Sequence, residues 1–559
     1  MKITRKILAI ILFLATVLSV AACSYGEVTT GKNDEVVVLP PDSGLPSSSA
    51  EAEDIDDEVP PTVDELNKRD EVLALLDNDY ESRTHVSYDN INGKTVDLYT
   101  FFRVKNESQN NPNFSQILMV KQCIDYKDKH PDEEVKISIC SFHFSVYLAA
   151  CVDTEKAEYG NLKNLVDKEY DESTGYYRLS YLLVEAAKKG IDVTVVGQLD
   201  AASVLISAGV KKKDMSFHNY FSSKLNDEAY ITGKKVGDYM TFRRTDWTSY
   251  GDKAAADMMH LKSCTVSNYI DNSGKEHGVA VWLGSTNIDG VDYLGINGNN
   301  GMQTGVVITG HDELYNVICN YVDLMVNYCG QEEINIFRDI VIDLNTEQIA
   351  LINAGRASEI DKDKQIVYLG SESDKVFEFY FAPFGGDVNV WDVNTNPFCK
   401  YLNKLLPSSN DKGERIELLW NNPKFLHDFD LGDTIIEVIV ASFYESGLTD
   451  NVMRLRSYGF DKTPFNCLKA GENIGHLYIG NEGSYHIKDL QLSYSEDGTR
   501  YYVTLYNTLN MHEGSMCYQT NTVLVVKETA ETGNNFYTDY AIMTSPNIEF
   551  ESRRVEKSN

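Results

Sequence analysis

Cys-x-x-Cys pairs are absent from this chain of 559 residues, although it contains ten cysteines. Because paired cysteines at that spacing are typical of zinc sites, neither a zinc site nor a dense disulfide framework is indicated. Apart from Cys23, an odd number of cysteines remains, and most lie in apolar surroundings that favour buried thiols. One or two disulfide bridges stay possible.

Positive charge is also scarce. Lys and Arg total 51 against 84 Asp and Glu, which gives a formal net charge of −33. A surface with this charge repels nucleic acid at long range and argues against a general nuclease. It also opposes electrostatic docking on anionic lipid, so proximity to a membrane has to come from another feature.

Long apolar runs are missing after residue 20, since no later segment approaches the ~18 apolar residues of a membrane span. Near the N-terminus, three cations precede the apolar run Ile7–Val20. This pattern predicts a signal peptide at residues 1–22, and Val20-Ala21-Ala22-Cys23 resembles a bacterial lipoprotein cleavage box. Cys23 would then carry lipid and anchor an exported protein to the outer face of the cell membrane, or to the outer membrane or periplasm. Residues 23–62, acidic and rich in Ser and Pro, predict a flexible tether.

Two segments, one in each half of the chain, share a pattern. The first has His260-Leu261-Lys262 and then Gly284-Ser285-Thr286-Asn287, and the second has His486-Ile487-Lys488 and then Asn507-Thr508-Leu509-Asn510. A single His-x-Lys triplet is expected by chance, but two triplets that are each followed by a hydroxyl residue and an asparagine at a similar distance are not.

The residues between these landmarks predict two β-hairpins. Each triplet leads into a β-type run, then into turn residues such as Asp271–Gly274 and Ser495–Gly498, and then into a return strand. Side chains two apart on a strand point to the same face, so each His and Lys would project together. The return strand would bring its terminal hydroxyl and Asn side chains back beside them.

Further landmarks support an internal repeat. Val135–Phe142 reads as a strand ending in Ser-Phe, and Ile436–Phe443 repeats it. Leu183–Thr194 reads as a helix end, a Gly stop and a new strand, and Met453–Asp461 is its expected, shorter counterpart. The alternation predicts an α/β fold of two lobes, residues 63–340 and 341–559, each a mixed sheet flanked by helices and related by pseudo-twofold duplication.

This constellation resembles the phospholipase D superfamily, whose halves each carry His-x-Lys, an acid five residues later, and Gly-Ser-x-Asn. The resemblance implies that two such lobes pool their side chains in one phosphodiester site. It assigns as catalytic residues His260, Lys262, Ser285, Asn287, His486, Lys488, Thr508 and Asn510.

Four positions depart from the pattern of that superfamily. Its acids would fall at Ser267 and Ser493, and a later Glu that orients a histidine aligns with Gln303 and Asn521. These four residues are the candidates for orienting the imidazoles. An amide oxygen can accept a hydrogen bond from a ring N–H, but it stabilises the imidazolium less than a carboxylate does.

The predicted activity is that of a surface-anchored phosphodiesterase acting on a phospholipid or another phosphodiester, by hydrolysis or transfer. One histidine, by resemblance His260, would attack phosphorus and form a phosphohistidine, while the other protonates the leaving alkoxide. The lysines would neutralise the phosphoryl oxygens, so no metal or cofactor is expected, and the two lobes would work as a monomer. The alternatives are a non-catalytic lipoprotein that binds an envelope phosphodiester, a cardiolipin-forming transferase, and a nuclease of the same superfamily.

Overall fold

A computed structural model gives the architecture of the chain. It describes residues 85–103, 111–201, 216–245, 247, 259–288, 303–330, 333–386, 390, 392–404, 452–456, 477–480, 489–509, 513–529, 531–532 and 548–551. The predicted signal peptide, Cys23 and the tether lie outside these residues. Among the helices so described, none is long and apolar enough to cross a membrane.

The centre of the N-terminal half is an eight-stranded mixed sheet. Its strands are β1 (His85–Ile91), β2 (Lys94–Arg103), β3 (Lys136–Phe144), β8 (Asp192–Asp200), β9 (Met240–Arg244), β10 (Ser263–Val266), β13 (Ala280–Gly284) and β14 (Gln303–Thr309). They lie in the order β1-β2-β14-β13-β10-β3-β8-β9. The pairs β3–β8 and β8–β9 are parallel and the other neighbours are antiparallel.

Helices and two small sheets complete this half. A four-stranded sheet contains β4 (Leu148–Cys151), β5 (Leu162–Asn164), β6 (Tyr170–Asp171) and β7 (Tyr176–Arg178), and β11 (Tyr269–Ile270) pairs with β12 (Glu276–His277). The helices are α1 (Pro112–Lys129), α2 (Leu179–Lys188), α3 (Phe217–Lys224), α4 (Asp312–Asn327) and α5 (Ile334–Asn353). The predicted mixed α/β class, with helices flanking a large mixed sheet, is confirmed.

The predicted helix–Gly–strand unit is present. Helix α2 ends where the N–H of Ile191 bonds to the carbonyl of Ala186, and Gly190 takes a φ of 80° that only glycine adopts without strain. The chain then enters β8, parallel to β3. The predicted hairpins are present too. Strand β10 pairs with β13 around the turn at 271–274, and in the C-terminal half residues 490–496 pair with residues 499–505.

The C-terminal half contains a five-stranded antiparallel sheet. Its strands are β15 (Phe377–Ala382), β16 (Val452–Arg456), β18 (Asp489–Glu496), β19 (Thr499–Asn507) and β20 (Asn521–Thr529), and they lie in the order β15-β20-β19-β18-β16. A separate pair is formed by β17 (Leu477–Gly480) and β21 (Ile548–Glu551). The helices of this half are α6 (Pro397–Lys404) and α7 (Glu513–Cys517).

The two sheets share a strand order. The run β15-β20-β19-β18-β16 matches β2-β14-β13-β10-β3 of the first sheet position by position, with antiparallel neighbours throughout. One landmark was assigned incorrectly: Val452–Arg456 is a strand beside β18, whereas the sequence predicted a helix end at this position. Hydrophobic periodicity over five residues does not separate the two. The segment 436–443 lies outside the described residues.

One hydrophobic core spans both halves of the chain. It contains Val281 and Ile308 from the first sheet, Phe381 and Val525 from the second, and helices α4 and α5 between them. Tyr321 of α4 stacks on Phe381 with ring centroids 3.8 Å apart. The predicted division between residues 340 and 341 falls inside α5.

A buried hydrogen bond between a histidine and a carboxylate also joins the halves. His311, the N-cap of α4, binds the Asp374 carboxylate through Nε2 at 2.8 Å, and both side chains are almost fully buried. Burial alone would raise the pKa of Asp374, but hydrogen bonds from His311 and Tyr368 outweigh it and hold that pKa below its usual value.

We expect Asp374→Asn to lower the free energy of unfolding by about 3 kcal/mol near neutral pH, because it removes a buried carboxylate that accepts hydrogen bonds from His311 and Tyr368. Since the pKa of Asp374 is lower in the folded state, its contribution is complete above the unfolded pKa of about 4 and is lost as the pH falls through the folded pKa. Urea unfolding of the full chain across this pH range measures both effects.

The matched control is Asp312→Asn, which removes the exposed pair between Lys94 and Asp312 at the same helix end. It should cost less than about 1 kcal/mol. Equal losses in the two variants would contradict the proposed role of Asp374.

Candidate functional site

His260 and Lys262 lie just before β10, where the first sheet meets the second. Met259 forms a parallel bridge with Thr520, and the N–H of His260 bonds to the carbonyl of Thr520 at 3.1 Å. Both side chains are buried, with 1% and 0% of their surface exposed. The first sheet therefore supplies these residues at a seam that the second sheet closes.

Asn521, the first residue of β20, orients the imidazole of His260. Its Oδ1 accepts from Nδ1 of His260 at 2.9 Å, while its Nδ2 donates to the carbonyl of Ser515 at 3.2 Å. The bond to Ser515 identifies Oδ1 as the atom that faces the ring, so His260 carries its proton on Nδ1. In the neutral ring the lone pair then lies on Nε2, as a nucleophile or base requires.

Thr508 supports Asn521 from the end of β19. Its hydroxyl donates to Oδ1 of Asn521 at 3.1 Å and accepts from the N–H of Thr522 at 3.0 Å. The resemblance placed Thr508 among the catalytic residues, and in the structure its hydroxyl donates to the group that orients His260.

Lys262 is held within the same loop. Its Nζ donates to the carbonyl of His260 at 2.9 Å and lies 5.9 Å from the centroid of the Phe142 ring. The His260 ring centroid is 5.6 Å from that of Phe142. An aromatic face attracts a cation, and more strongly away from water, so Phe142 contributes to holding the ammonium group.

Ser285 and Asn287 follow β13, which returns beside β10. Gly284 is needed at this point because a Cβ there would lie 2.5 Å from the carbonyl oxygen of Thr304. The Ser285 hydroxyl accepts from the N–H of Thr304 at 3.0 Å, which ties it to β14. The side-chain oxygen of Asn287 accepts from the N–H of His143 at 3.4 Å, and its carbonyl accepts from Asn113 at 3.3 Å.

The ends of the two return strands are built alike. The N–H of Ser285 bonds to the carbonyl of Thr304 at 2.9 Å, and that of Thr508 to the carbonyl of Thr522 at 3.1 Å. Each hydroxyl then accepts from the N–H of the same partner residue, at 3.0 Å in both cases. Gln303 precedes Thr304 in the first half and Asn521 precedes Thr522 in the second, so these two residues occupy equivalent positions in the chain.

The remaining predicted residues are placed as follows. His486, Lys488 and Asn510 lie outside the described residues, and of Ser493 and Gln303 the structure describes the backbone in β18 and β14. Ser267 was wrongly considered an orienting residue. It follows β10 at the end away from Lys262, about 16 Å along the strand, and its hydroxyl accepts from the N–H of Lys136.

Sequence reasoning missed Phe142 as a contact of both His260 and Lys262. A signal existed, because both predicted strands end in Ser-Phe, yet an aromatic residue at a strand end is usually core. Within the described part of the chain, no three His, Cys, Asp or Glu side chains are arranged to hold a metal ion. The described site is therefore an imidazole, an ammonium group, amides and hydroxyls.

Asn521→Asp tests the orientation of His260. A carboxylate on Nδ1 should stabilise the imidazolium and raise the pKa of His260 by about 1 unit or more. Titration of the ring resonances by NMR, with the His260→Gln spectrum for assignment, measures this change without any assay of activity.

Asn394→Asp is the matched control, since Asn394 is exposed and bonds to Asp392. It adds the same charge and should leave the titration of His260 unchanged. If Asn521→Asp also left it unchanged, the hydrogen bond between residues 260 and 521 would be refuted.

Several solved structures resemble this chain at about 10% sequence identity. No protein-family model matches the sequence, and no curated protein matches it. Among solved structures, the chain is similar to phosphatidylserine synthase from Haemophilus influenzae (11% identity, 87% of this chain and 92% of that one, TM-score 0.38). It is also similar to Nuc, a phospholipase D family member from Salmonella typhimurium (12%, 41% and 92%, TM-score 0.20).

Polyphosphate kinase from Porphyromonas gingivalis is a third similar structure, at 9% identity and a TM-score of 0.32. The match covers 77% of this chain but 44% of the kinase, so the chain spans less than half of that protein's length. At TM-scores below 0.5 all three similarities are remote.

Proposed function

We propose that this protein is a phosphodiesterase of the phospholipase D type that hydrolyses or transfers a phosphodiester group through a phosphohistidine. The observation that carries the proposal is the hydrogen bond from His260 Nδ1 to Asn521, since it leaves the lone pair of a neutral ring on Nε2. Lys262 lies two residues away in the same buried loop.

In the first step, Nε2 of His260 attacks phosphorus and the P–O bond to the leaving alcohol breaks. The departing alkoxide needs a proton, and His486 is the proposed donor. Water or an alcohol, deprotonated by the same second histidine, then attacks phosphorus, and the P–N bond breaks to restore His260. In each step one bond to phosphorus forms, another breaks and one proton is transferred, and no oxidant or reductant is consumed.

Lys262 supplies charge where the reaction needs it. The phosphoryl oxygens carry negative charge that must be stabilised as the nucleophile approaches, and a cation shielded from water does this more effectively than one in solvent. Lys488 would act in the same way from the second half. The side chains of Asn287 and Asn510 are proposed to donate hydrogen bonds to the same oxygens.

The shared strand order supports an internal duplication. If the second half repeats the first, His486 would occupy the position equivalent to that of His260, and Gln303 would be its counterpart of Asn521. Both histidines would then be oriented by amides across the seam. An amide lacks the charge of a carboxylate, so each imidazolium is less stable, and the reaction should be slower than one with carboxylates.

The cellular setting is part of the proposal. Cys23 would carry the lipid anchor, and residues 23–62 would hold the catalytic body away from the outer face of the membrane. The net charge of −33 disfavours nucleic acid as substrate. The lipid anchor would bring the catalytic body close to a phospholipid or an envelope phosphodiester in spite of that charge. A monomer whose two halves complete one site needs no partner chain.

A second candidate function is binding without catalysis. It is favoured by the amide at residue 521 and by the serines at the two positions where the superfamily has acids. A protein of this type would still hold a phosphate at Lys262 but would not form a covalent intermediate.

The full chain should release nitrophenol from bis-nitrophenyl phosphate and a head group from mixed phospholipids. His260→Ala and His486→Ala should each lower kcat by about a hundredfold or more, because each histidine has its own proton-transfer or nucleophilic role. Lys262→Met should have a comparable effect at unchanged folding.

His218→Ala is the control, since His218 is exposed in α3. It should keep full activity. If all folded proteins were inactive on both substrates but bound phosphate in a manner that Lys262→Met abolished, the second candidate function would replace the first.

A further inference from the structure

Three amide side chains are buried at the start of helix α1, beside the loop that carries Asn287. They belong to Asn111, the N-cap of the helix, and to Asn113 and Gln116 in its first turns, and all three residues are fully buried. Nδ2 of Asn113 donates to the carbonyl of Asn287 at 3.3 Å, which joins the helix to the chain after β13. Asn111, Asn113 and Gln116 are called the amide cluster below.

Hydrogen bonds to the backbone fix the orientation of each amide. The Oδ1 of Asn111 accepts from the N–H of Asn113 at 3.0 Å, and the carbonyl of Asn287 requires Nδ2 of Asn113 as its donor. The same Nδ2 donates to Oε1 of Gln116 at 2.8 Å. Because a backbone N–H only donates and a backbone carbonyl only accepts, none of the three amides can be flipped without the loss of a bond.

The other polar atom of each amide is left over. Across the described part of the chain, no hydrogen-bond partner is present for Nδ2 of Asn111, Oδ1 of Asn113 or Nε2 of Gln116. A purely structural role explains one atom of each amide and leaves these three unexplained. Buried polar groups in folded proteins are almost always hydrogen-bonded, so three such atoms within one short stretch of chain indicate a place for a polar molecule.

Trp282 adds a further donor at the same place. A Cβ on Gly305 would lie 2.9 Å from Cβ of Pro112 and 2.9 Å from Nε1 of Trp282, so the indole N–H lies against the first residue of α1. Among the described residues this N–H has no hydrogen-bond partner either. Three donors and one acceptor are therefore available at the start of the helix.

This mixture of donors and an acceptor selects the class of ligand. An anion only accepts hydrogen bonds, so it would leave the Oδ1 of Asn113 unpaired, whereas an ammonium group only donates and would leave the N–H groups unpaired. The positive end of the helix dipole also disfavours a cation at this position. A hydroxyl group both donates and accepts, so a neutral group with several hydroxyls matches the amide cluster.

We propose that the amide cluster binds the hydroxyl groups of a neutral polyol that is esterified to the phosphate of the substrate. The proposal rests on the proposed function, in which the side chain of Asn287 donates to the phosphoryl oxygens. Since the carbonyl of Asn287 already contacts Asn113, a polyol attached to a phosphate at this residue would be placed beside the cluster. The preferred substrate is then a phosphodiester of a glycerol-like or inositol-like alcohol and not of choline or ethanolamine.

The test compares the binding of two phosphate monoesters to the full chain by titration calorimetry. Glycerol 1-phosphate and propyl phosphate have the same carbon chain, but only the first carries free hydroxyl groups. We expect the unaltered protein to bind glycerol 1-phosphate about tenfold more tightly, because the analogue without hydroxyls leaves the buried amide groups unpaired.

Asn111→Ser removes one of the available N–H groups without adding charge, and a serine still caps the helix. It should lower the ratio of the two affinities by about fivefold, the effect of one lost hydrogen bond. Gln116→Glu keeps the acceptor for Asn113, replaces the other N–H group by an oxygen and should lower the ratio as well. The ratio is the readout because the added charge weakens both ligands. Asn394→Ser makes the first substitution at an exposed position and should leave the ratio unchanged.

Binding does not require turnover, so this proposal and the proposed function can fail separately. A preference for glycerol 1-phosphate that both cluster variants lower, in a protein that turns over no phosphodiester, would support the polyol site and count against the proposed catalysis. Turnover of bis-nitrophenyl phosphate without such a preference would mean that the amide atoms hold water only, which overturns the polyol site. Equal ratios in the unaltered chain and both cluster variants, or no binding of either monoester, would overturn it too.

Discussion

The hydrogen bond between His260 and Asn521 is the interaction on which the proposed site depends. It joins the loop before one sheet to the first residue of a strand in the other, and it sets which ring nitrogen carries the proton. The amide is itself held by Ser515 and Thr508, so the imidazole orientation follows from a chain of buried hydrogen bonds. Such a chain is stabilising because each buried polar group in it has a partner.

Around this bond, the two halves of the chain are packed as one body. The shared core, the stacked pair Tyr321–Phe381 and the buried pair His311–Asp374 all cross between them. The proposed site, assembled from two halves, would need such rigidity, since a displacement of about 1 Å at the seam would move the His260 imidazole out of the geometry that the proposed attack on phosphorus requires.

The choice of an amide as the orienting group has a chemical consequence. The amide holds the neutral ring in the tautomer with the proton on Nδ1, without an electrostatic cost, but it stabilises the cationic ring little. The buried Lys262 and the ring of Phe142 then supply most of the electrostatic character of the described site. The amide therefore favours the neutral, nucleophilic form of the His260 ring over its imidazolium form.

Local sequence patterns determined much of the fold: the hairpins after each His-x-Lys, the Gly190 stop after α2, and the strand β3 that contains Ser141-Phe142 were all predictable, because periodicity and turn chemistry act over a few residues. The same patterns brought His260, Lys262, Ser285 and Asn287 into one prediction. They could not show that Val452–Arg456 is a strand, that Ser267 is remote from His260, or that the Thr508 hydroxyl donates to Asn521. Those facts depend on which strands pair within each sheet: Ser267 bonds beside Lys136, Val452–Arg456 pairs with β18, and Thr508 lies beside Asn521. Pairing between residues that are distant in the chain is decided only by the tertiary structure.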